Sequence, residues 1–474
     1  MRRSITIPFA AIVLAMLPAV LDQTILATAL PTIATDLGRL SDVSWVVTAY
    51  VVAAAATTPV WGKLGDRLGR KRLLEAALVL FLATSALCGA VQSIAPLVAA
   101  RAAQGVAAGG LMTLAMACVG DLVSPRERAR YQGVIAAVFA VATIVGPLVG
   151  GLLVEHASWR WVFYVNLPVG VAALAALRLR LPAAPVSPPA APLDRLGAAL
   201  LAGATAALML ACVWGGDRFA WDSAPILVLL AGGLALGAAL VARERAAADP
   251  IVPLHLLRTR TVAVSSAALF LTTAALFSVT VFVPVLLQQA TGATPTESGL
   301  LLAPAMLGIA VATTLAGRAI ARSGRYKRYP LAGLALMAAA LTLLAVLAGD
   351  PSQAAIAGAL AVFGLGFGMV GQVLIVAVQN GVEPRELGVA TATTGFFRAL
   401  GGALGAAVLG AVFAAHTDVA GGVQAVLAVA AAVAVAALAV VLLLEEVPLR
   451  GPSTFDRKAT DERSHGIHPR PAAQ

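Results

Sequence analysis

Between two apolar runs the chain reads Gly62-Lys-Leu-Gly-Asp66-Arg-Leu-Gly69-Arg70-Lys71-Arg72. Further along, again between apolar runs, it reads Gly317-Arg-Ala-Ile-Ala321-Arg-Ser-Gly324-Arg325-Tyr-Lys327. The two segments align without a gap, which indicates an internal repeat. The second copy lacks the acid, because Ala321 stands where the first copy has Asp66.

The runs around these segments are unusually apolar. Hydrophobic residues make up 60% of the 474 residues and charged residues only 12%, whereas a soluble domain has about 25% charged residues. A helix needs about 20 apolar residues to cross the hydrocarbon core of a bilayer. The runs are continuous and lack the alternating pattern of a membrane β-barrel. The sequence therefore predicts an all-α polytopic membrane protein.

Fourteen apolar runs are long enough to span a membrane. They cover residues 8–29, 43–61, 73–94, 96–120, 131–153, 161–180, 194–213, 223–242, 262–287, 298–320, 329–348, 353–377, 387–414 and 420–444. If the second run corresponds to the tenth, the repeat equals a six-helix half plus two inserted helices. We expect an N-terminal six-helix bundle (1–181), a Pro-rich cytoplasmic connector (182–193), two inserted helices (194–245), a C-terminal six-helix bundle (246–444) and a cytoplasmic tail (445–474).

Basic residues are distributed unevenly between the two sides of these spans. With the N-terminus inside, nearly all of the 33 lysines and arginines fall on the cytoplasmic side, as the positive-inside rule requires. The exceptions are Arg39, Arg160 and Arg218 on the other side and Arg101 and Arg398 within spans. We expect a multi-pass protein of the inner cell membrane with both termini cytoplasmic. The scattered charge, net +10, argues for a lipid bilayer as partner and against nucleic acid.

Asp22 and Arg101 both lie inside predicted spans, toward the same outer end. Charge is expensive there, and ionisable groups within spans usually mark ion or proton paths. One hypothesis is that Asp22 alternates between a protonated state and an ionised state paired with Arg101 or with a cationic substrate. The alternative is that Arg101 extends to the outer surface while Asp22 only bonds helix backbone or Thr24.

Other polar side chains within spans are candidates for contacts with a substrate, although packing roles are equally compatible with the sequence. They are Tyr50, Gln104, Gln288, Gln289, Gln372, Gln379, Asn380 and Arg398. Arg398 lies deep in its span among glycines. It either lines a central cavity or is bound to carbonyls of a neighbouring helix.

Several motifs together resemble those of the major facilitator superfamily, specifically its 14-span drug/proton antiporter branch. The segment Gly62–Arg72 is similar to the superfamily's cytoplasmic signature. The fifth run resembles the antiporter signature through Gly133, Gly146, Pro147, Gly150 and Gly151, with Ala142 in place of one glycine. Further similarities are Leu21-Asp22-Gln-Thr24-Ile, Trp159-Arg-Trp-Val-Phe163-Tyr-Val-Asn166-Leu-Pro168 and Asp249-Pro250-Ile-Val-Pro253.

The resemblance implies two six-helix halves around a central cavity and the export of drugs or antibiotics in exchange for protons. It assigns Asp66, Arg70 and Asp121 to a cytoplasmic gate cluster, in which the loop acid faces a helix N-terminus of the other half. The alternative for this cluster is a positively charged loop with incidental acids. The glycine-rich fifth span would form a tight seam between the halves.

No GxxxxGK[ST] phosphate-binding loop occurs in the chain, so we expect no cofactor and a proton gradient as the energy source. The histidines of the tail, His465 and His468, lack a third ligand, so no metal site is expected. A transporter dedicated to one endogenous metabolite, or a proton-coupled importer, remains an alternative. A membrane enzyme is a more distant one, because no catalytic constellation appears at the ends of the spans.

Overall fold

The computed structural model describes residues 3–37, 40–182, 192–216, 218–247, 249–290, 295–349 and 352–449. Most of the predicted connector and the tail from residue 450 lie outside the described residues. Within them the chain folds into 19 α-helices. In the first half these are α1 (Arg3–Leu37), α2 (Leu40–Leu68), α3 (Arg70–Ala90), α4 (Ile94–Leu122), α5 (Pro125–His156), α6 (Trp161–Tyr164) and α7 (Asn166–Arg180).

The helices that follow complete the chain. They are α8 (Arg195–Trp214), α9 (Ala224–Ala246), α10 (Leu254–Arg258), α11 (Arg260–Phe277), α12 (Val283–Ala290), α13 (Pro295–Leu301), α14 (Ala303–Ser323), α15 (Arg328–Leu347), α16 (Gln353–Gly368), α17 (Gly371–Gly381), α18 (Leu387–Ala414) and α19 (Val419–Leu442). A π-helical turn (Ser278–Phe282) joins α11 to α12, and a 3₁₀ turn (Pro384–Glu386) precedes α18.

Fourteen of the described helical segments are long and apolar enough to cross a membrane. This confirms the predicted fold class and the predicted number of spans. Some spans contain more than one helix: α11, the π-helical turn and α12 form the ninth, and α16 and α17 form the twelfth. The junctions of α2 with α3 and of α14 with α15 lie at one end of the bundle, which we call the basic end because of the arginines and lysines in and around them.

The ends of several helices follow from single residues. Gly69 between α2 and α3 has φ 97°, and Gly324 after α14 has φ 71°, a left-handed region that favours glycine. These two glycines occupy equivalent positions in the repeat. At the start of α5, Ser124 and Glu127 form a capping box, which supplies partners for the free N–H groups of the first turn.

The two halves meet along two helix pairs, α2 with α18 and α5 with α14. A Cβ on Gly62 would lie 2.5 Å from the Cβ of Ala392, and one on Gly317 would lie 2.0 Å from the carbonyl oxygen of Ala129. Only glycine permits such close approach of the backbones. Because Gly62 and Gly317 are equivalent in the repeat, each half contributes the same kind of contact.

The inserted hairpin α8–α9 packs outside this interface. Met209 of α8 packs with Val52 and Ala55 of α2, and with Leu400 and Ala403 of α18. The hairpin therefore lies over the boundary between the halves and touches both.

Candidate transport site

A cavity of about 480 Å³ lies between the halves, in the size range of sites for drug-sized ligands. Helices α1, α2, α4 and α5 form one wall, and α11, α14, α16, α17 and α18 form the other. Much of the wall is apolar and includes Met112, Met116, Phe139, Met306 and Phe367. Threonines supply most of its polar groups.

Arg398 lies on this cavity wall. Its side chain is exposed, and the structure shows it with no hydrogen bond, ion pair or aromatic contact within the described residues. It is not bound to carbonyls of a neighbouring helix. Of the two positions that the sequence allowed, the structure gives the one on the cavity wall.

The remaining cavity candidates divide into two groups. Tyr50 and Gln372 line the cavity together with Arg398. Gln104 lies in a buried cluster behind the wall. Gln379 donates to Thr391 (3.2 Å) and Asn380 to the Val447 carbonyl (3.3 Å), so both serve packing near the basic end.

Gln288 and Gln289 lie elsewhere, exposed near the end of α12. Sequence reasoning also missed cavity residues, notably Gln23, Thr58 and Gly395. Gln23 follows Asp22 directly, and that position could have suggested it.

Asp22 and Arg101 form a fully buried ion pair. Asp22 Oδ2 lies 2.5 Å from Arg101 Nη1, and the two side chains are 0% and 1% exposed. Gln104 and Asn166 donate to the other carboxylate oxygen at 3.0 and 3.1 Å. Arg101 does not extend to the surface. A buried ion pair needs such additional hydrogen bonds, because burial removes its hydration.

The same cluster touches the cavity through one aromatic ring. The Arg101 guanidinium lies 4.2 Å from the centroid of the Tyr50 ring, and Tyr50 forms part of the cavity wall. Gln23 on the same wall also interacts with Tyr50. Tyr50 therefore separates the buried ion pair from the cavity by a single side chain.

The motif from Trp159 to Pro168 supports this cluster from behind. Trp159 Nε1 donates to Asp36 at 2.7 Å and Arg160 Nη1 at 3.2 Å, and these hydrogen bonds hold the pKa of Asp36 below its usual value. The chain then forms the short helix α6 and begins α7 at Asn166, which reaches Asp22. The motif thus connects the C-terminal end of α1 to the buried carboxylate.

The predicted gate residues meet at the basic end. Asp66 accepts hydrogen bonds from the backbone N–H groups of Gly388 (3.0 Å) and Val389 (2.8 Å) at the N-terminus of α18. Free N–H groups and the helix dipole favour an anion at this position. Arg70 bonds both Asp66 (2.7 Å) and Asp121, and it donates to the Pro384 carbonyl at 2.8 Å.

Two further contacts at the basic end were not predicted. Arg128 donates to the Gln379 carbonyl at 3.2 Å and to the Gly120 carbonyl at 2.5 Å, and so links α5 to α17. Asp249, in the segment after the inserted hairpin, pairs with Lys63 and with Arg67 (2.7 Å). The segment after the hairpin is therefore tied to the last turns of α2, which carry Asp66.

The glycines of the fifth span lie against different helices. A Cβ on Gly133 would lie 2.7 Å from the Thr314 Cα of the other half, whereas one on Gly146 or Gly150 would meet Thr24 or Thr28 of α1 at 2.1 and 2.3 Å. Gly151 has no neighbour within 4 Å. Pro147 lies inside the continuous helix α5. Only the Gly133 end forms a seam between halves; the rest packs α5 against α1, the helix of Asp22.

Two six-helix bundles that enclose a central cavity, closed at one end by a charged cluster, are the architecture found in polytopic secondary transporters. The sequence assigns the family independently: residues 12–406 match the Major Facilitator Superfamily. The chain belongs to that superfamily. This membership confirms the predicted family and places the protein among transporters and not among enzymes.

Curated relatives support the same assignment. The chain is 41% identical over 410 residues to the uncharacterized MFS-type transporter Rv1877 of Mycobacterium tuberculosis, covering 86% of this chain and 60% of that protein. It is 35% identical to the multidrug transporter protein MdtP of Bacillus subtilis (87% and 76% covered). It is also 35% identical to the efflux pump FUS6 of Gibberella moniliformis (85% and 73%). The chain thus spans only three fifths of the length of the mycobacterial relative.

Solved structures share the fold at low identity. The proton:xylose symporter XylE superposes with a TM-score of 0.68 at 14% identity and covers 96% of this chain and 99% of its own. The human organic anion transporter MFSD10 superposes with a TM-score of 0.66 at 20% identity, with 93% and 99% covered. These similarities concern the fold alone.

Proposed function

We propose that the protein is a proton-coupled antiporter of the inner cell membrane that exports lipophilic small molecules, drugs or antibiotics among them. The observation that carries this proposal is the juxtaposition of cavity and ion pair: a drug-sized cavity is separated from the Asp22–Arg101 pair only by Tyr50. The names of two relatives, a multidrug transporter and an efflux pump, support export as the direction.

The coupling follows from electrostatics. Ionised Asp22 holds Arg101 in place, and Arg101 packs on the Tyr50 ring. When Asp22 takes up a proton, the ion pair is lost and Arg101 is free to move, which displaces Tyr50 and changes the cavity wall. A substrate that contacts Tyr50 or Gln23 has the opposite effect: it favours the ionised Asp22–Arg101 pair. Binding of proton and substrate is thereby linked, and linkage between two binding events is reciprocal.

The basic end supplies the gate. Asp66 and Arg70 hold the two halves together there through Gly388, Val389 and Pro384. This arrangement fits a state closed at the basic end, which we assign to the cytoplasm. Opening requires these hydrogen bonds to be exchanged for water.

The available energy suffices for export. One proton that crosses roughly 150 mV releases about 3.5 kcal/mol, at about 2.3 kcal/mol per 100 mV. Each tenfold concentration difference of a neutral solute costs about 1.4 kcal/mol. One proton could therefore concentrate a neutral solute a few hundredfold.

The proposal is tested with purified protein in liposomes that contain a pH-sensitive dye. Lipophilic anions, neutral compounds and cations are added one at a time, and proton movement is recorded for wild type and Asp22→Asn. We expect substrate-dependent proton movement in the wild type and none in the variant. Substrate flux without proton movement would show a uniporter or a differently coupled transporter instead.

A further inference from the structure

The cavity wall carries a positive charge and, among the described residues, no negative one. Among the described residues that line the cavity, Arg398 is the only one with a formal charge at neutral pH. Asp22, the only acid deep within a predicted span, is not on the wall and is already bound by Arg101, Gln104 and Asn166. The guanidinium of Arg398 therefore faces the cavity without a counter-ion among the described residues.

Two uncharged polar side chains of the cavity wall, Thr313 and Thr394, accept no hydrogen bond from Arg398. Thr313 donates its hydroxyl hydrogen to the Gly368 carbonyl at 2.8 Å, and Thr394 donates to the Thr391 carbonyl at 2.8 Å. Neither hydroxyl pairs with Arg398. The donors of Arg398 remain available to a ligand, because an arginine carries five N–H donors and no acceptor.

The rest of the wall suits an apolar body. Met112, Met116 and Met306 contribute flexible, polarizable side chains, and Phe139 and Phe367 contribute rings. Methionine surfaces adapt to ligands of different shape. An apolar cavity with one charge placed in it selects molecules that carry the opposite charge on an apolar body.

We propose that the central cavity binds amphiphilic organic anions, with a carboxylate or similar acidic group on Arg398 and the apolar body against the methionines and phenylalanines. This inference rests on the proposed function, since it takes the cavity as the transport site, and it names the class of substrate. Arginine suits this role because its planar fork can bind both oxygens of a carboxylate.

The test uses three fluorescent ligands that share one dansyl group: dansylglycine, its neutral amide, and the quaternary ammonium analogue. Saturable binding to the protein in lipid nanodiscs is measured for wild type, Arg398→Gln, Arg398→Lys and Arg328→Gln. Arg328 is exposed at the basic end and bonds only Tyr329 in the structure, so its variant controls for the loss of one arginine. Thermal melting of each variant verifies folding.

We expect the wild type to bind dansylglycine more tightly than the amide by about tenfold or more, because one charge-assisted hydrogen bond contributes about that much. Arg398→Gln should remove this preference by weakening binding of the acid far more than binding of the amide, Arg398→Lys should retain part of it, and Arg328→Gln should retain it fully. Equal binding of acid and amide, tighter binding of the ammonium compound, or no saturable binding of dansylglycine by wild type would each overturn the inference.

The outcomes separate this inference from the proposed function. A preference for the acid without substrate-dependent proton movement in liposomes would keep the anion site and reject the proton antiporter. Proton movement driven by the ammonium compound, with no preference for the acid, would keep the antiporter and reject the anion site.

Discussion

At the scale of single residues, the Asp22–Arg101 pair is tightly constrained by its surroundings. Two charges are fully buried, and Gln104 and Asn166 complete the hydrogen bonds of the carboxylate. Ser85 in turn accepts from both amides, at 2.7 and 3.2 Å. Such a network holds the ionised pair in one geometry.

Removal of one partner should be worse than removal of both. Asp22→Leu leaves Arg101 buried and unpaired, which costs about 3–5 kcal/mol, whereas replacement of a buried pair by apolar side chains is often neutral or stabilising. We therefore expect Asp22→Leu to melt at a lower temperature than Asp22→Leu/Arg101→Met, measured by thermal unfolding in one detergent. A double variant no more stable than the single one would contradict a direct ion pair.

At the scale of helices, the N-terminus of α18 makes a contact between the two halves at the basic end. Its first N–H groups bind Asp66, and the carboxylate lies directly beside the Cα of Gly388. A Cβ at Gly388 would lie 2.3 Å from Asp66 Oδ1. Glycine is required there by contact with another chain segment and not by backbone conformation, because the residue is helical.

The substitution Gly388→Ala tests this contact. Overpacking of this kind typically costs about 1–3 kcal/mol, and here it would act on the closed state. We expect a lower melting temperature and faster labelling of a cysteine introduced at the basic end. Gly410→Ala on the same helix is the matched control, since a Cβ there meets nothing within 4 Å. Equal behaviour of the two variants would show that the Asp66 contact does not hold the halves together.

At the scale of the whole molecule, the two halves are related by the repeat but differ in their charges. Gly62 and Gly317 form equivalent close contacts, whereas Asp66 has no acidic counterpart at Ala321. On the side of α5 the halves are tied instead by Arg128, which bonds the Gln379 carbonyl of α17. The inserted hairpin covers the α2–α18 boundary and connects to Lys63 and Arg67 through Asp249.

Alternating access requires the α2–α18 interface to open. An ideal Cβ on Gly395 would lie 3.7 Å from Thr58 Cγ2 across this interface, so a cysteine at each position can direct its sulfur toward the other. We expect the double variant Thr58→Cys/Gly395→Cys to cross-link on oxidation and stop exchange, and reduction to restore it. Each single cysteine variant is a control. Full exchange by the cross-linked protein would rule out opening at this boundary.

The sequence was sufficient for the fold because apolar runs separated by basic loops leave one arrangement of spans. The sequence also predicted similar depths for Asp22 and Arg101, because both charges lie near the predicted outer ends of their spans. It could not place Asn166 or Ser85 at that carboxylate, because the contact depends on how α3, α4 and α7 pack. Gln379 and Asn380 had the polarity expected of cavity residues, but the rotation of α17 directs them to Thr391 and to the chain at Val447 and Pro448.

Proton coupling through Asp22 is tested most directly by substrate accumulation that an imposed pH difference drives. Liposomes that contain wild type or Asp22→Asn are loaded at one pH and diluted into another, and uptake of a fluorescent substrate is followed with the membrane potential clamped. With the wild type we expect the substrate to accumulate on the more acidic side in proportion to the pH difference. With Asp22→Asn we expect no accumulation. Equal accumulation by both proteins would contradict the assignment of Asp22 as the proton-coupling residue.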